Sequence, residues 1–97
     1  MSKIYEVVAV YDNLTEAYLE PRFFATMAEA QRIFEYQINN IDLWRENASD
    51  YDLYSLGTYN AESGELKSEV HKMIKGTAVV RKERKSDIRS SEQTEEK

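Results

Sequence analysis

An α+β fold follows from three features of the sequence: two β-rich stretches, then one capped amphipathic helical stretch, then a strand–turn–strand pattern. The order reads ββαβ(β), an antiparallel-rich sheet of four or five strands with one long helix on one face. Residues 1–80 make a single domain, and 81–97 make a charged tail.

Lys3 to Asp12 is rich in β-branched and aromatic residues, with Val7, Val8, Ala9 and Val10 consecutive. Both faces are largely apolar, as in a central strand. Asp12-Asn13-Leu14-Thr15-Glu16 is turn-prone, because Asp and Asn side chains bond to nearby backbone. Ala17 to Ala25 is a second strand interrupted at Pro21, which lacks the N–H that a ladder needs; an edge position or a bulge is expected.

Thr26 and Glu29 form a T-x-x-E capping box that opens a helix over 27–46. Met27, Ala30, Phe34, Ile38, Ile41 and Trp44 follow at helical spacing, with Ile33 widening the stripe. Tyr51 to Tyr59 is the third strand. Leu53, Ser55, Gly57 and Tyr59 share one face, and Tyr54, Leu56 and Thr58 the other. Gly57 in mid-strand marks a bulge or a close backbone approach. Asn60 to Gly64 is a hairpin turn with Gly64 suited to positive φ, and Glu65 to Val70 returns as the fourth strand. Thr77-Ala78-Val79-Val80 is a last apolar run, able to pair with the sheet edge or a partner subunit.

From Arg81 onward Ile88 is the single aliphatic residue, so the segment buries too little apolar surface to offset its ordering entropy, and disorder or a loosely formed helix is expected. Residues 1–80 hold seven Lys/Arg against thirteen Asp/Glu, a net −6, whereas 81–97 hold six against five. The domain thus has no general attraction for nucleic acid, and any such binding needs a local basic patch, stacking or the tail. Cysteine is absent, which excludes disulfides and thiolate metal sites. No signal segment opens the chain and no apolar run approaches the roughly 20 residues that span a bilayer, so a protein that is neither secreted nor membrane-bound is expected.

Catalytic chemistry is not expected. His71 is the sole histidine, with Glu69 as its nearest carboxylate in sequence, and a half-exposed strand histidine accounts for it. The three glycines stand apart, so there is no phosphate loop, and no nucleophile–base set stands out. No catalytic residue, metal or cofactor is therefore assigned.

Tyr5, Tyr11, Tyr18, Phe23, Phe24, Tyr54 and Tyr59 all fall on expected strands. One helix leaves the other face of such a sheet uncovered, a surface for binding or dimerisation. Sheet aromatics stack bases in single-strand-binding proteins at about 1–3 kcal/mol per base, and they also serve simply as strand packing. Arg81, Lys82, Arg84 and Lys85, with Lys72 and Lys75 before them, form the one cationic concentration, suited to phosphate contact or to a solvated tail.

Ala9-Val10-Tyr11-Asp12, Ala17 to Ala25, and Ala30-x-Arg32-x-Phe34 resemble the N-terminal half of the small nonstructural protein of gokushovirus-type microviruses, single-stranded DNA bacteriophages. Asp52 to Asn60, followed by Glu62-Ser63-Gly64-Glu65, resembles that family's signature strand and hairpin, with Asn60 and Ser63 as mild departures. The resemblance covers roughly residues 4–80. It implies a role in viral DNA production, in the switch from duplex replication to single-strand synthesis and packaging, in the cytoplasm of a bacterial host. With it the expected site is Tyr11, Tyr18, Phe24, Tyr54 and Tyr59 for stacking and Lys72, Lys75, Arg81, Lys82, Arg84 and Lys85 for phosphate, in a homodimer that binds single-stranded DNA or the replication–packaging complex. The alternative is an adaptor for the viral initiator, the procapsid or a host factor, with no nucleic-acid contact.

Overall fold

The computed structural model describes residues 3–81. The expected disordered tail, 81–97, lies outside them except for Arg81.

β1 (Ile4–Asp12) is central, as its two apolar faces require. On one side it pairs antiparallel with β2 (Ala17–Tyr18) and β3 (Arg22–Phe24), and on the other with β4 (Tyr51–Asn60), which pairs with β5 (Leu66–Lys75). β2 and β3 are one edge strand broken at Leu19–Pro21, where proline has no N–H to give. The turn before them is closed by Asp12 Oδ1, which accepts the Leu14 N–H at 2.9 Å.

Thr26 Oγ1 accepts the Glu29 N–H at 3.2 Å and so starts α1 (Met27–Asn40). Ala30, Phe34 and Ile38 pack with Val8 and Leu53 on one face of the sheet, and Met27, Phe24 and Val10 close the rim. The helix does not run unbroken to residue 46. Ile41 is extended (φ −98°, ψ 113°) and exposed, and a short α2 (Asp42–Glu46) follows. Asn39 and Asn40 supply the reason, since their side-chain amides donate to the carbonyls of Glu35 and Tyr36, each at 2.8 Å, and compete with the helical ladder. The offset lets Trp44 stack on Tyr51 at 4.6 Å and 12°.

β5 runs five residues beyond its expected end, and Thr77 to Val80 is not a strand. Gly76–Val79 forms a short helix, α3, against α1 and the single 3-10 turn Ala48–Asp50. A Cβ on Gly76 would fall on the carbonyl oxygens of Ala48 and Tyr51, so only glycine allows this approach. Buried Asn39 then locks the segment: its amide donates to the Val79 carbonyl (3.0 Å) and its Oδ1 accepts the Arg81 N–H (2.7 Å).

β4 carries the feature that shapes the rest of the sheet. Its register against β1 steps from Val8↔Ser55 to Val7↔Gly57, leaving Leu56 as the extra residue of a bulge. Gly57 adopts φ 138°, and the Lys67 carbonyl of β5 occupies the place of its absent Cβ. Both readings of this glycine, bulge and close approach, hold. The bulge also corrects the expected faces, because it moves Tyr59 onto the same face as Tyr54.

Two outcomes test this packing. Gly57→Ala should lower stability by about 2 kcal/mol or more, read as a shift of the urea midpoint, since it adds a clash to a strained φ. Burial, aided by Asp12 and Asp50, raises the Tyr51 phenol above its ordinary 10.0. The folded chain therefore holds that proton longer than the unfolded one. Its contribution is complete below about pH 10 and is lost as the pH rises further, so Tyr51→Phe should flatten the alkaline fall in melting temperature.

Candidate functional site

The helices cover the face of Val8, Val10 and Leu53, so the odd-numbered residues of β1 point to the other face. There Tyr5, Val7, Ala9 and Tyr11 are flanked by Tyr18 and Phe23 from the edge and by Tyr54 and Tyr59 from β4. The rings gather in two groups. Tyr11, Tyr18 and Tyr54 form a triangle with centroids 4.8–5.7 Å apart, packed edge-on or tilted. At the far end of the same face, Tyr59 lies 5.4 Å from Phe23 and 6.4 Å from Tyr5. Six residues of β1 separate Tyr5 from Tyr11, about 20 Å of strand.

Val7 and Ala9 are buried beneath these rings, whereas Tyr18 (43%) and Phe23 (50%) keep much of their surface exposed. Tyr5, Phe23, Tyr59 and Ala61 line a shallow cleft of about 260 Å³. That is below the range of roughly 300–1,000 Å³ usual for small-molecule sites. The geometry suits flat groups laid across a surface.

Charge on this face is sparse. Asp52 is the only carboxylate that alternation places there among the described strand residues, and it is buried. It accepts from Asn13 Nδ2 at 3.1 Å and pairs with Lys72 Nζ at 3.6 Å. Lys72 also stands 5.9 Å over the Tyr54 ring, a cation–π contact, and Lys75 is the cross-strand partner of Asp52. The domain's net −6 is thus carried elsewhere on its surface.

Of the expected site residues, the structure brings Tyr11, Tyr18, Tyr54 and Lys72 together and sets Tyr59 and Lys75 on the same face. Phe24 is not among them. It is one residue from Phe23 and therefore points the other way, into the helix-side rim, with Arg22 stacked 5.2 Å over its ring. Arg81 is also remote: its guanidinium pairs with Glu35 at 3.0 Å and its carbonyl accepts from Arg45 at 2.8 Å, both on the helix layer. Lys82, Arg84 and Lys85 lie outside the described residues. Tyr5 and Phe23 belong to the surface although the expected site omitted them; alternation from Tyr11 through Ala9 and Val7 identifies Tyr5. Asn13 and Asp52, which brace Lys72, had no sequence signal because they are 39 residues apart.

His71 is on β5 and exposed, and among the described residues no three His, Cys, Asp or Glu side chains are grouped so as to hold a metal. No helix among the described residues is long and apolar enough to cross a membrane.

A family model described as Phage ORF5 protein matches residues 5–79. The chain belongs to the Phage ORF5 protein family. The matched span takes in the whole sheet except Ile4, together with all three helices, and so contains every ring of the aromatic face of this phage protein. No curated protein and no solved structure matches it significantly.

Proposed function

We propose that this protein is a non-catalytic, nonstructural protein of a microvirus-like phage that binds single-stranded DNA during viral single-strand DNA production. It would act alone or within the replication–packaging complex, as a dimer, in the cytoplasm of the bacterial host. The carrying observation is the sheet face left uncovered by the described residues, on which six rings converge in two groups with no exposed carboxylate of the described strands among them. Rings on a sheet stack bases without regard to sequence, each worth about 1–3 kcal/mol, and Lys72 and Lys75, on the same face, would supply the charge that meets phosphate.

Two observations favour a second reading, an adaptor for the viral initiator, the procapsid or a host factor. Lys72 is already paired with Asp52, and the exposed aliphatics Leu66 (65%) and Val70 (53%) are better matched to protein than to bases.

Fluorescence anisotropy with a labelled single-stranded oligonucleotide, at low and physiological salt, separates the two. The DNA reading expects saturable binding that weakens with salt. Tyr54→Ala or Tyr59→Ala should weaken it about tenfold each, while the rim substitution Phe24→Leu leaves it unchanged. Truncation after Arg81 should lower the salt slope if Lys82, Arg84 and Lys85 meet phosphate. No binding at low salt sinks the DNA reading, and the adaptor reading then stands to be tested against viral and host proteins.

A further inference from the structure

Among the described residues the sheet has two edges of different character. One is the broken pair β2 and β3, of two and three residues; the other is β5, ten residues long and exposed at every position from Leu66 to Lys72. An unpaired strand of that length presents a row of N–H and C=O groups to any complementary strand.

Its backbone phase is set at the hairpin. The Asn60 N–H donates to the Glu65 carbonyl at 2.9 Å, so the polar groups of Glu65 turn toward β4, and those of Leu66, Ser68 and Val70 turn outward by alternation. Leu66 and Ser68 are the cross-strand partners of Tyr59 and Gly57, which places Leu66, Ser68 and Val70 on the aromatic face and Lys67 and Glu69 on the helix side. The segment Leu66-Lys67-Ser68-Glu69-Val70 thus reads apolar, cation, small, anion, apolar, and it is its own complement when reversed.

We infer that a second copy of this chain pairs antiparallel with the β5 edge about a two-fold axis at Ser68. This rests on the dimer in the proposed function, but not on DNA being bound. In this register Leu66 of each copy faces Val70 of the other, Lys67 faces Glu69, and Glu65 faces His71, each pair occurring twice. The outward groups of Leu66, Ser68 and Val70 meet their own kind, as a ladder needs. Competing registers are worse. An axis at Lys67 or at Glu69 sets like charges opposite one another, and a one-residue slip opposes aromatic-face to helix-side positions. An axis at Val70 runs the pairing through Met73, where the β4–β5 register shift breaks the alternation. Paired positions share a face, so the two aromatic surfaces lie on the same side of one continuous sheet. A single strand could then cross both, with the second engagement favoured by its proximity to the first.

The test is sedimentation velocity and native mass spectrometry on the full chain. Wild type should be a dimer. Lys67→Glu and Glu69→Lys should each raise the dimer dissociation constant about tenfold or more, because both ionic pairs become repulsive. An equimolar mixture of the two variants should form the heterodimer, in which both pairs are again opposite in sign, and the double variant should recover the homodimer. Ser68→Pro, which removes an outward N–H that β4 does not use, should give a monomer with an unchanged circular dichroism spectrum. A wild-type monomer at all concentrations, a dimer indifferent to the charge reversals, or variants that do not recover on mixing would each overturn the interface. Anisotropy run in parallel keeps the two ideas apart: a monomer that still binds DNA leaves the DNA reading standing, and a dimer without DNA binding leaves the interface standing.

Discussion

A strand shows alternate residues to alternate faces, so two tyrosines five positions apart should look in opposite directions. Tyr54 and Tyr59 do not, because the bulge at Leu56 inserts one residue between them and reverses the phase of everything beyond it. The inserted residue fits only because Gly57 takes φ 138° with the Lys67 carbonyl where a side chain would start. With a regular β4, Tyr59 would turn to the helix side and leave Tyr5 and Phe23 without the ring they pack on. One irregular peptide thus decides whether the open face holds one aromatic group or two.

The opposite face has the reverse requirement. There the helix layer must hold a close-packed core, and it does so with Phe34, Ile38 and Leu53, while Asn39 ties the end of the described chain to α1 through two hydrogen bonds. Arg81 therefore begins the basic segment on the helix layer, paired with Glu35, and not beside the tyrosines. Arg81 and the stacking groups thus sit on opposite layers of the described domain, and a ligand that uses both must reach around the sheet edge.

Much of the scaffold was legible in the sequence because each signal was local. Thr26 and Glu29 marked the helix start, Pro21 the broken edge, Gly64 the hairpin and Gly57 the bulge, and each acts within a few residues of itself. What could not be read depended on contacts distant in sequence. Thr77 to Val80 has strand composition, yet Gly76 and Asn39 draw it into a helix against residues some 40 positions earlier. Residue type alone groups Phe24 with the open face, although alternation against Phe23 separates them. Tyr54 and Tyr59 were divided because a mid-strand glycine announces a bulge without saying which side gains the residue.

An acidic domain that meets a polyanion must gain more from contact than it loses to repulsion. Ionic repulsion decays over a Debye length of about 8–10 Å in physiological salt, and the helix-layer carboxylates stand about one packed layer, on the order of 10 Å, behind the aromatic face. Asp52 lies on that face, and Lys72 and Asn13 already answer its charge. On the DNA reading, what a single strand would meet first is aromatic surface flanked by Lys72 and Lys75, where stacking at about 1–3 kcal/mol per base would have to outweigh the screened residue of a net −6. The same screening predicts a shallow salt dependence for the described domain alone, since few counterions would be released by two lysines. A steep dependence in the full chain would have to come from beyond Arg81.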